Sequence, residues 1–172
     1  MSRITEFYNS SGVDHKGRTL TSILAMDDDW LEVVHDYIQW IFPLEERSKA
    51  VPNSPVMRQD DINAFKGSFS MKANMAMALQ RMLIFYGFEC SKDGLELVKM
   101  HDFQVKSSRW LTNGNHNYLR LTRIMKSLAL VGLSRSAQML QKALLTIADE
   151  FPSVVSPATR SFWADAFIPA ED

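Results

Sequence analysis

The sequence predicts an all-α fold, a single globular domain of about six or seven helices over residues 1–172. Three observations carry that expectation. Apolar residues recur with the 3.6-residue helical period in four separate stretches, each with a recognisable cap or stop. Only seven glycines and six prolines punctuate the chain, too few for an all-β fold that turns every ten residues or so. Strand signals are confined to Val154-Val155 and short apolar pairs. Leu, Ile, Val and Phe supply 46 of 172 residues, enough for a packed core.

Taken in order, a short helix is expected over about residues 19–26. A longer one, 29–42, follows the run Asp27-Asp28-Asp29, which favours a helix start both as a cap and by charge. Leu31, Val34, Ile38 and Ile41 form its apolar stripe, and Pro43 ends it because the residue before proline avoids the helical region. Residues 48–57, with two prolines, read as a loop. A helix over 59–66 precedes the longest one, 70–86, whose face carries Met71, Met75, Leu79, Met82, Leu83 and Tyr86 and which Gly87 stops. Its methionines read first as core filler and alternatively as a plastic groove for a peptide. Residues 95–100 are expected to form another short helix, and Asn113-Gly114 a turn. Helices over 116–131, capped by Asn115 and ended by Gly132, and over 135–149, ended by Pro152, come next. A terminal helix over 157–167 carries Phe162, Trp163 and Phe167. The 29–42 and 116–131 helices are expected at the centre of the domain.

Composition excludes several classes. The formal charge of −1 gives no global attraction to nucleic acid or an anionic membrane, so no sequence-specific nucleic-acid partner is expected. That balance conceals a segregation: residues 27–61 carry nine acids and three bases, residues 101–145 seven bases and one acid. The two regions are expected to cancel by packing together, or to leave a basic face for an anionic partner. The lone cysteine, Cys90, permits no internal disulfide and fits a reducing compartment; its thiol is expected to be partly buried and structural. The first residues lack a secretory h-region, and the longest apolar run, 128–133, is far below the roughly 18 residues of a membrane span. A soluble, cytoplasmic protein is expected, with a homo-oligomer open.

Catalytic and cofactor motifs are sparse. No two glycines have the G-x-G-x-x-G spacing, Gly12 and Gly17 are followed by Arg18 where a P-loop needs lysine, and no G-x-S-x-G elbow occurs. The four histidines show no zinc spacing, so neither a metal nor a cofactor is expected. Two polar clusters stand out. His35, Asp36, Gln39 and Trp40 fall on neighbouring strips of the 29–42 helix, and His116, Asn117, Arg120 and Arg123 fall near the start of the 116–131 helix. Joined, they would form one network in which an arginine pairs with Asp36; opened, they would hold an anionic group. A catalytic role for His35 or His116 is the rival reading, and no nucleophile accompanies either. A structural assembly protein is the third.

The same residues carry a resemblance. His35-Asp36-Tyr37-Ile38-Gln39-Trp40-Ile41-Phe42-Pro43, preceded by Leu31-Glu32, resembles the signature of the opioid growth factor receptor conserved region. Phe7-Tyr8, Gly17-Arg18, Ser54-Pro55, Phe85-Tyr86-Gly87, His116-Asn117, Arg120 with Arg123, and Lys126-Ser127-Leu128 fit that family in the same order, over about residues 5–150. The resemblance implies an all-α domain without established catalytic residues to carry over, and the missing nucleophile–base arrangement, beside the polar clusters and the methionine-rich face, makes a binding module and not an enzyme the expectation. Animal members similar to this chain are described as receptors for an enkephalin peptide that restrain cell growth at the nucleus and its periphery. A peptide or anionic ligand is therefore the expected partner. Compact chains of this kind also resemble the family's bacterial members.

Overall fold

In the computed structural model, which describes residues 1–168, helices form where caps and stops bracket the expected stretches, and they are more numerous and shorter than the period implies. Backbone contacts divide the chain into two units, Met1–Arg81 with Leu130–Gly132, and Met82–Ala129 with the chain from Leu133 onward.

The first unit holds α1 (Arg3–Tyr8), α2 (Leu20–Leu24), α3 (Asp28–Val33), α4 (Ile38–Ile41), α5 (Gln59–Gly67) and most of α6 (Phe69–Tyr86). Side-chain oxygens of Ser2, Thr19 and Asp27 accept backbone N–H groups at the starts of α1, α2 and α3, so each short helix has its own cap. The continuous helix expected over 29–42 is two helices. The β-branched pair Val33-Val34 is poor helix material, Val34 turns extended, and the Tyr37 hydroxyl donates to the Leu31 carbonyl (2.8 Å), replacing a helical partner. Helix α1, too short to show a period, was not foreseen. Its Phe7 and Tyr8 pack among Trp40 and Phe65, with ring centroids 4.8–5.6 Å apart. Burial pushes the Tyr8 phenol far above its ordinary value, and its O–H donates to the Ile41 carbonyl. Asn74 of α6 donates to the Tyr8 carbonyl (2.7 Å), which pins the end of α1. Met71, Met75 and Met82 are almost wholly buried, so the methionine face is core; Met77 alone of that group is exposed.

The second unit holds the end of α6, the strands β1 (Phe88–Cys90) and β2 (Leu97–Lys99), α7 (Phe103–Ser107), α8 (Asn117–Leu130), α9 (Ser134–Glu150) and α10 (Pro157–Asp165). The fold is thus mostly helical, with ten helices and one hairpin among the described residues, where an all-α domain of six or seven helices was expected. The short helix expected over 95–100 is β2, paired antiparallel with β1 in the register Phe88 to Lys99 and Cys90 to Leu97. Asp93-Gly94 makes the turn. Gly94 takes φ +69°, and the Asp93 carboxylate accepts from the Ser91 hydroxyl (2.6 Å) and the Leu95 N–H (3.0 Å). Gly87, at φ +87°, separates α6 from β1, and a Cβ there would stand 3.2 Å from the Phe103 Cα. Around it Tyr86, Phe88, Phe103 and Trp110 make an aromatic core, and the Trp110 indole donates to the Tyr86 carbonyl (3.1 Å). Cys90 is exposed, contrary to the expected partial burial, because it closes a strand of a hairpin with open sides.

Candidate functional site

The signature stretch His35–Pro43 folds into a clamp on the loop that precedes it. Asp14, fully shielded, receives the N–H groups of Lys16 (2.8 Å) and Arg18 (2.9 Å) on one oxygen and Arg18 Nε (2.6 Å) on the other. Arg18 then reaches Asp36 through Nη2 (2.8 Å), its guanidinium over the Trp30 ring. The second Asp36 oxygen meets His15 Nε2 at 3.3 Å, and the Trp40 indole N–H donates to His15 Nδ1 at 3.0 Å. An indole N–H can only donate, so Nδ1 is the acceptor of that pair and Nε2 is the ring nitrogen that faces Asp36. Both ring nitrogens are therefore engaged, and neither is left to take a substrate's proton. Geometry makes this a lock, in which Asp36 and Trp40 of the signature hold Arg18 and His15 of the loop.

Partial burial pushes the Asp36 carboxyl up, and the Arg18 hydrogen bond and charge, with His15 adding to them, bring it below the usual carboxylate range. A lowered folded-state value means that the charged pair contributes stability above the unfolded value, about 3.9, and loses it as pH falls through the folded one. Asp36→Asn should accordingly flatten the acid limb of the stability–pH curve while lowering stability at neutral pH. Urea titrations at pH 7 and in steps below pH 4 read this directly; an unchanged acid limb would exclude the pair as its source.

The other candidate residues fall as follows. Gln39 is buried on α4, its Oε1 shielded without a donor, and His35 is exposed in the α3–α4 connection. In the second unit, Asn117 is fully buried and its Oδ1 accepts from the Tyr86 hydroxyl (3.2 Å) and Arg120 Nη1 (3.4 Å). Arg120 is buried, Arg123 half-buried and His116 exposed. Asn115 Oδ1 receives the Asn117 backbone N–H (2.9 Å) and side-chain amide (3.0 Å), so the chain itself covers the opening N–H of α8. His15 and Asp14 escaped the sequence reading; the detectable signal was the Gly17-Arg18 pair, which reports a turn followed by a cation.

A groove absent from that reading lies between the β1–β2 hairpin and α9, with a volume of about 780 Å³. Leu95, Leu97, Met139 and Leu145 contribute apolar surface, and charged side chains stand among them. Lys142 pairs with Glu96 across the groove, and Lys99 with Glu150. Arg135, whose Nη2 lies 3.5 Å from the Gly94 carbonyl of the hairpin turn, makes no ion pair among the described residues. Gln141 at the groove's back donates to the Trp163, Ala164 and Phe167 carbonyls (3.0, 2.9 and 2.7 Å), fastening the end of α10. Trp163 is buried against Tyr118, whereas Phe162 is exposed and Phe167 lies past the helix end. Among the described residues no three His, Cys, Asp or Glu side chains gather as metal ligands would, and no helix is long and apolar enough to cross a membrane.

These features define a mostly helical protein with a locked signature loop and an open groove. It belongs to the family of the opioid growth factor receptor conserved region, which matches residues 8–164. The chain is 35% identical to the opioid growth factor receptor of Rattus norvegicus and 33% to that of Mus musculus, each over 138 residues, or 78% of this chain. Opioid growth factor receptor-like protein 1 of Xenopus tropicalis is 31% identical over 139 residues, 79% of this chain. The aligned part makes up 23%, 22% and 27% of those three relatives, so the chain spans about a quarter of their length. No solved structure matches it significantly.

Proposed function

We propose that this chain is a non-enzymatic, intracellular binding module of the opioid growth factor receptor kind, and that it takes a short peptide in the groove between the hairpin and α9. The observation that carries this reading is the groove itself: its volume is in the range of small-ligand sites, its lining carries apolar side chains, and four of its five charged lining residues are ion-paired. The relatives' name as receptors supports a ligand, and an enkephalin peptide is the first to try. The Asp36 and Asn117 networks are read as structural, since their central groups are engaged by the chain's own side chains.

The test is a heteronuclear NMR titration of the whole chain with an enkephalin peptide. Saturable shifts should appear at Leu97, Met139 and Lys142 and not in the Asp14–Arg18 loop. Met139→Glu, which sets a charge on the apolar wall, should weaken binding about tenfold or more with little change in fold, because residue 139 is only half-buried. No saturable shift, or shifts confined to the first unit, would overturn the reading.

A further inference from the structure

Resting on that peptide reading, we infer that the groove fixes the direction of its ligand, with Arg135 receiving the peptide's C-terminal carboxylate. The argument is charge complementarity along α9. The lining residues of α9 run from Arg135 to Asp149, about 21 Å at the helical rise of roughly 1.5 Å per residue. An extended peptide advances about 3.3 Å per residue, so about six residues fill the length and both ends of a short ligand fall inside the groove.

Those two ends differ in charge. Halfway along, Lys142 is neutralised by Glu96. At the far end Asp149 is held by Arg160 and the neighbouring Glu150 by Lys99, so acids and cations cancel there. At the near end Arg135 is the lining cation with no carboxylate partner among the described residues, its guanidinium standing at the hairpin turn beside Gly94. Arg135 and Gln138 also line a second, adjoining hollow with Ala166 and Phe167. A guanidinium presents a planar fork that matches a carboxylate with two parallel hydrogen bonds. A ligand lying antiparallel to α9 would place its carboxylate on that fork and its ammonium at the far end, where the charges are balanced. The opposite direction would set ammonium against guanidinium.

The experiment compares an enkephalin peptide carrying a free C-terminal carboxylate with the same peptide amidated at that end, on the wild-type chain and on Arg135→Gln. Calorimetry gives affinities, and NMR shifts at Leu97 and Met139 give location. Amidation should weaken wild-type binding about tenfold and Arg135→Gln binding by less than about twofold, the two changes acting on one contact. Equal binding of both peptides to the wild type, with the groove shifts intact, would overturn the carboxylate assignment and leave the peptide reading standing. If neither peptide shifts the groove, both fall.

Discussion

Asp14→Ala is expected to destabilise the first unit by about 3–5 kcal/mol, the range for removing one partner of a buried ion pair. The side chain is completely shielded and satisfies three donors at once, two backbone N–H groups and Arg18 Nε. Alanine leaves all three short of an acceptor, and the Arg18 guanidinium loses one of the two carboxylates that hold it. The consequence reaches the signature residues, because His15 belongs to the same loop and is the acceptor of the Trp40 indole. Asp14→Asn separates the contributions. Its amide oxygen can still receive the Lys16 and Arg18 N–H groups, but its NH₂ faces Arg18 Nε, so about half of the loss should remain, in line with the roughly 1.5–3 kcal/mol of a hydrogen bond to a charged group. Urea denaturation followed by tryptophan fluorescence measures both. A change below about 1 kcal/mol for Asp14→Ala would show that the loop is not locked through this carboxylate.

The legible parts of this molecule were the long helices and the signature. Helices α6, α8 and α9 announced themselves because 14 to 18 residues hold several turns of one apolar face, and glycines at 87 and 132 mark where two of them stop. The stripe Leu31, Val34, Ile38, Ile41 misled for a physical reason: the same spacing is met by two short helices around an extended Val34, and periodicity cannot see a break that Tyr37 stabilises by bonding the Leu31 carbonyl. Asp93-Gly94 between Phe88 and Leu97 is a hairpin signal that the helix expected over 95–100 leaves out of account. Asp36 and Trp40 were singled out as polar groups on a helix face, yet their partners lie about 20 residues earlier in a loop with no period at all. The groove was least legible, since it is made by strands too short to show alternation packed beside an amphipathic helix.

Gln141→Glu should prove more damaging than Gln141→Ala, although glutamate is nearly the same size and shape. The Gln141 amide nitrogen lies within 3.0 Å of three carbonyl oxygens, those of Trp163 and Ala164, which the end of α10 leaves without intrahelical partners, and that of Phe167 just beyond it. Alanine removes the donor and leaves nearly buried carbonyls unsatisfied, a loss of about 1–3 kcal/mol. Glutamate at neutral pH turns a carboxylate toward those same oxygens, an uncompensated charge in a buried site, and should cost about 3–5 kcal/mol unless the side chain swings out and frees the C-terminal helix. The pH dependence distinguishes this from a packing fault. Burial and three facing carbonyls raise the folded-state value of the new carboxyl above its unfolded one, near 4.3. The variant's deficit relative to wild type is therefore smallest below that unfolded value, where the protonated acid can donate one hydrogen bond, and grows as pH rises through the folded one. Thermal melts of wild type, Gln141→Ala and Gln141→Glu at pH 4 and pH 7 should show the glutamate deficit shrinking at acid pH and the alanine deficit nearly constant. A glutamate deficit independent of pH would mean that residue 141 does not face the carbonyls of α10.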